Sequence, residues 1–169
     1  MRVQGRITIG LPLVAVLISA GLALTGNLQR VDIETDIQRK FEMTGSLGEL
    51  TTLMVDAETG MRGYQLTGRT EYLEPFTDAS GELPAVLGRL ETRAAAEPGE
   101  KPRTDKLARI AELRDLTSKQ MTDLARQRDV VAAGGDTDGE IRQDLAYGKN
   151  LMDGIRSRVD QMRTGEREL

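Results

Sequence analysis

The chain has 169 residues, 30% of them charged and 3% aromatic, with a net charge of -4 and no cysteine, histidine or tryptophan. The missing side chains are the usual general base, thiol nucleophile and zinc ligands, so a Cys/His zinc site, a cysteine nucleophile and a histidine phospho-acceptor are excluded within the chain. Basic and acidic residues alternate at close range, without the one-sided basic footprint of a nucleic-acid binder, and the composition suits long amphipathic helices around one modest core.

Residues 1–6 form a short tail whose only charges are Arg2 and Arg6, and residues 7–29 carry no charge at all. As a helix that run is roughly 35 Å long, enough for a hydrocarbon core of about 30 Å. It predicts a transmembrane signal anchor with the N-terminus cytoplasmic and residues 30–169 outside. The competing reading is a cleaved signal peptide. Against it, the apolar run exceeds the usual 7 to 15 residues, and no convincing small-x-small cleavage site precedes Asn27.

Nothing between Asn27 and Leu66 stops a helix, so helix one is expected to leave the membrane without a break. Leu47, Leu50, Met54, Ala57, Met61 and Tyr64 recur at 3-4 spacing on one stripe, which Ile37 and Phe41 extend towards the bilayer. Gly68 supplies a left-handed stop. Thr70 is expected to cap helix two, which should run to about Ala96 with Leu73, Phe76, Leu83, Leu87 and Leu90 inward, Pro75 in the first turn and a bend at Pro84. Gly60 and Gly63 lie inside a helical pattern, where each is unfavourable by roughly 1 kcal/mol against Ala. Close approach of another backbone is the expected reason.

Glu97 to Arg103, with Pro98, Gly99 and Pro102, reads as a loop near the membrane surface. Thr104 can cap helix three, whose buried side is expected to be Leu107, Ile110, Leu113, Met121, Leu124 and Val131. Gly134 and Gly135 end it. Thr137 with Glu140 forms a capping box for helix four, where Ile141, Leu145, Gly148, Met152, Ile155, Val159 and Met162 keep a 4-3 spacing that Leu169 continues. The predicted fold is all-α: an N-terminal transmembrane helix continuing into an antiparallel up-down-up-down four-helix bundle, with the C-terminus returned beside helix one. The methionines fill the core. Asp136 to Glu140 has the start of a calcium loop but lacks the later ligands, so no metal site and no cofactor are expected.

The stretch Glu58, Thr59, Gly60, Arg62, Gly63, Tyr64, Leu66, Thr67 and Gly68, followed by Tyr72, Leu73, Pro75 and Phe76, closely resembles the signature of the CHASE3 family of extracytoplasmic sensory domains. The resemblance extends more weakly through the later helices to Met152–Arg156. It implies a four-helix bundle at the input end of a bacterial histidine kinase, chemoreceptor or diguanylate cyclase, lying in the periplasm and anchored in the inner membrane. It further implies a homodimer, and relatives of this kind enter a second transmembrane helix and then an output domain just after a stretch like Met162 to Leu169. On that comparison the chain looks like an input module without its output.

The family-motif corner is therefore the candidate site. Arg62 with Tyr64 could receive an anionic ligand at the distal tip; the plainer reading, which we favour, is that Arg62 pins the corner by bonding Glu58, with Glu71 or Glu74 approaching across it. The expected function is a sensory input module that passes an unidentified small-molecule or protein stimulus across the membrane by helix displacement. The partners are then the lipid bilayer and a second copy of the chain, with no nucleic acid. The alternative is a membrane-anchored helical adaptor or structural protein without output. An enzyme is not expected, since no nucleophile, base and orienting group can be assembled from the spacing.

Overall fold

A computed structural model of the chain describes secondary structure for residues 4–135 and 137–168, and side-chain environments for residues 19, 37–135 and 146–165. The elements are α1 (Gln4–Thr67), a 3-10 turn η1 (Thr70–Leu73), α2 (Glu74–Ala95), α3 (Glu100–Ala132) and α4 (Thr137–Glu168). No strand occurs among the described residues. The chain divides into two units, Met1–Phe41 and Glu42–Leu169. In the first, Ile37 and Phe41 are 62% and 75% exposed, so the stripe expected to run through them is not buried. No helix is long and apolar enough to cross a membrane among the described residues; apart from Ser19, the side chains of the expected span, 7–29, lie outside them.

The second unit is a helical bundle held by aliphatic stripes. On α1, Leu47, Leu50, Met54, Ala57 and Met61 are fully buried and Tyr64 nearly so, as the 3-4 spacing predicts. On α2, Phe76, Leu83, Leu87 and Leu90 are buried together with Ala79, Val86 and Ala94. On α4, Met152, Ile155, Val159 and Met162 face the core, joined by Leu151. Burying side chains of this size is worth about 1.5–3 kcal/mol each relative to exposure, which is what holds helices of otherwise charged sequence together.

Neighbouring helices are identified by their cross-links. Arg93 bonds Ser46 at 2.8 Å and pairs with Glu42 at 3.3 Å, Arg89 meets Glu49 at 2.6 Å, and Tyr72 lies against Gly60 and Gly63, so falling numbers on α1 meet rising numbers on α2. Arg114 of α3 bonds Glu91 of α2 at 2.7 Å, and the Arg128 guanidinium lies 5.7 Å from the centre of the Phe76 ring. Arg158 of α4 pairs with Glu112 of α3. Arg163 of α4 reaches α1, where a Cβ on Gly48 would come 3.1 Å from its Nη2.

Three expectations about helix boundaries and faces are corrected. Thr70 caps nothing. It opens η1, and α2 begins at Glu74 with no side-chain cap and Pro75 in its first turn, where a missing N–H leaves no bond unmade. Thr104 is likewise not a cap: α3 starts at Glu100 behind Gly99, whose φ of +90° suits only glycine, and the Thr104 hydroxyl donates to the Glu100 carbonyl at 2.9 Å. Pro102 therefore belongs to the first turn of the helix rather than to the loop. On α3, Ile110, Leu113 and Leu124 are buried as expected, but Leu107, Met121 and Val131 are only partly covered, and Thr117, Gln120, Asp123 and Gln127 occupy the interior beside them. The capping box at Thr137 and Glu140, the calcium-like loop, and Ile141, Leu145 and Leu169 lie outside the described side chains.

Candidate functional site

The corner between α1 and α2 is built by glycine. Gly68, with a φ of +67°, ends α1 and donates its N–H to the Tyr64 carbonyl at 2.8 Å. Thr67 braces the same turn, its hydroxyl donating to the Gly63 carbonyl at 2.7 Å and accepting from the Arg69 N–H at 3.2 Å. The chain then folds back so closely that a Cβ on Gly60 would come 2.5 Å from the Tyr72 carbonyl oxygen and 3.3 Å from the Pro75 ring. A Cβ on Gly63 would come 2.6 Å from the Tyr72 ring. The two glycines therefore accept a helix-propensity penalty to admit the backbone and ring of the returning segment.

Arg62 donates to Glu58 at 2.6 Å within α1, and is more than half exposed. Glu71 pairs with Arg69 instead of approaching Arg62. Tyr64 is buried in the core while Arg62 is at the surface, so the structure does not bring these two together as a receptor for an anion. Leu66 is 86% exposed at the tip, Leu73 packs against the core, and Tyr72 is partly exposed. Gly60, Gly63, Thr59, Tyr72 and Pro75 line a groove of about 600 Å³ whose other walls carry Asp56, Glu71, Glu74, Asp78 and Glu82. Its field favours cations and disfavours anions.

A second constellation lies inside the bundle. Thr117, Gln120, Asp123 and Gln127 stand on one stripe of α3 at exposures of 2%, 1%, 4% and 8%. Gln65 of α1 donates to Gln127 Oε1 at 2.7 Å; Gln127 in turn donates to Asp123 Oδ2 at 2.7 Å, and Arg126 donates to Asp123 Oδ1 at 2.8 Å. The Asp123 carboxylate is thus buried with both oxygens bonded and its charge balanced, the condition under which a buried charge is tolerated. Gln120 Oε1 has no partner. Across from it stands Gly148 of α4, where a Cβ would lie 3.5 Å from Asp123 Oδ2 and 3.6 Å from Gln120 Nε2. Sequence reasoning missed this ladder because its members are polar. The signal that could have found it is the gap between Leu113 and Met121, in which the helical phase falls on Thr117 and Gln120.

No group of acidic side chains suited to a metal ion occurs among the described residues. A family model described as the CHASE3 domain matches residues 33–169. No curated protein and no solved structure matches the chain. With the match spanning the corner, all four helices of the bundle and the ladder within it, the chain belongs to the CHASE3 family of sensory domains.

Proposed function

We propose that this chain is the extracytoplasmic sensory input module of a transmembrane receptor, seated in a bacterial inner membrane. In this reading residues 1–6 are cytoplasmic, the uncharged run 7–29 is the anchor, and residues 30–169 form an antiparallel up-down-up-down bundle in the periplasm. A second copy of the chain, an unidentified small-molecule or protein stimulus, and a cytoplasmic output unit of the histidine kinase or chemoreceptor type complete the assembly. The observation that carries the reading is the return of α4: Arg163, near its end, reaches α1 at Gly48, so α4 leads back to the side from which α1 arrives.

Signalling is then mechanical. A stimulus that binds one arrangement of the bundle better shifts α4 against its neighbours, and a coupling of about 1–3 kcal/mol is enough to bias an output. The buried seam Met152, Ile155, Val159 and Met162 makes α4 a continuous transmitter. The test is an insertion series after Gly154 in the chain fused to the catalytic domains of a histidine kinase. One inserted residue rotates everything beyond it by about 100° and resets output, while seven restore the phase and are tolerated. Equal effects of the two insertions would count against a rigid transmitting helix.

A further inference from the structure

The packing of α2 against α3 has a gap. Between the two ties that join these helices, Arg128 over Phe76 and Arg114 to Glu91, lies a groove of about 360 Å³ walled by Leu83, Pro84 and Leu87 of α2 and by Thr117 and Met121 of α3. That volume falls within the roughly 300–1,000 Å³ of small-molecule sites, and the walls are mostly apolar, as such sites are.

The oxygens of Ser80 and Thr117, which also line the groove, are acceptors without a proton to offer. Pro84 has no N–H, so the Ser80 carbonyl four residues before it lacks its helical donor. The Ser80 hydroxyl gives its proton to the Phe76 carbonyl at 2.8 Å. That of Thr117 goes to the carbonyls of Leu113 and Arg114 at 2.9 and 3.0 Å. The cation at the edge, Arg114, is already balanced, because its Nε and Nη2 both bond Glu91. An apolar slot with lone pairs and no free charge selects an uncharged molecule that carries a donor.

We propose that this groove binds a small uncharged aromatic molecule with a single N–H or O–H donor, the donor bonded to the Ser80 carbonyl and the ring held between Pro84 and Met121. A ring suits the place better than an aliphatic chain, since a methionine thioether gains from contact with an aromatic edge or face. The site is placed to act on α4. Thr117 follows Leu116, and Leu116 meets α4 at Gly154, where a Cβ would lie 3.5 Å from its Cδ2. Filling the groove therefore loads the α3–α4 contact at the level where α4 begins its run to the C-terminal end. The inference deepens the proposed function by naming a class of stimulus, and it rests on that reading for its meaning, while binding itself needs no output domain.

The experiment is a methyl NMR titration of the full chain in lipid nanodiscs, with labelled methionines, using indole as the probe and 1-methylindole as the control without a donor. The Met121 methyl should shift saturably with indole, while Met54, buried on α1, stays in place. 1-Methylindole should bind about tenfold more weakly, the loss of one hydrogen bond. Pro84→Ala restores an N–H to the Ser80 carbonyl and removes a helix-breaking residue, so the fold is kept. It should weaken indole about tenfold and leave 1-methylindole unchanged, abolishing the preference. A shift that never saturates is partition into the bilayer and overturns the proposal, as do equal affinities for the two probes or a preference that survives Pro84→Ala. Saturable binding beside equal effects of the two insertions would keep the site and sink the transmission reading; phased insertions without binding would do the reverse.

Discussion

The two ends of the α3–α4 contact are built from different material. Where Ile110 and Leu113 meet Met152, Ile155 and Val159, every side chain is aliphatic or thioether and at most 1% exposed. One turn and more along α3, Thr117, Gln120, Asp123 and Gln127 share the interior with a single buried aliphatic, Leu124, and α4 answers with Gly148. The aliphatic end gains stability from area removed from water, needs no particular partner for any atom, and interlocks. The polar end gains little from burial, depends on every donor and acceptor being met, and leaves one unmet. A helix pair with one interlocked end and one conditional end is expected to open first at the conditional end.

The comparison is broken most forcefully at the aliphatic end. Ile155→Ala empties a fully buried site, and the expected loss is about 2–5 kcal/mol in denaturant unfolding with m unchanged. Second in size is the corner. Helix propensity alone gives Gly60→Ala a gain of about 1 kcal/mol, but the new Cβ would stand 2.5 Å from the Tyr72 carbonyl oxygen. The expected outcome is a net loss of about 1–3 kcal/mol, seen as a lower denaturation midpoint.

The polar end should respond with the opposite sign. Gln120→Leu replaces a buried amide whose oxygen is unpaired by an apolar group of similar size, and a gain of about 1 kcal/mol is expected in thermal unfolding. The smallest effect belongs to the surface pair Lys149–Asp153, 2.5 Å apart. The hydrogen bond from Lys149 holds the Asp153 carboxyl below its ordinary pKa, so the pair contributes above that ordinary value and the contribution is lost as pH falls through the depressed one. Asp153→Asn should lower Tm slightly at neutral pH, and the difference should vanish in acid and in high salt.

Much of this was legible in the residues themselves. The stripes of α1, α2 and α4 follow from apolar periodicity, and the left-handed stop at Gly68 from glycine's freedom at positive φ. The purpose of Gly60 and Gly63 was legible too, because two helix-weakening residues side by side near a turn call for a close neighbour, and Tyr72 is that neighbour. The caps were misread. Thr70 and Thr104 have the right chemistry, but a proline in the first turn of each helix marks the start equally well, and Pro75 and Pro102 decided. The ladder stayed hidden because Gln120, Asp123 and Gln127 read as a solvated face; only Gln65, 62 residues from its partner Gln127, and Arg126, three from Asp123, make the burial of Gln127 and Asp123 tolerable.

The contrast between the two ends is tested most directly by hydrogen exchange along α4 in the native chain. Amides of 146–151 should exchange through local opening well below the global unfolding free energy, while those of 155–161 should be protected to nearly the global limit. Equal protection along the helix, or slower exchange at 146–151, would contradict the account.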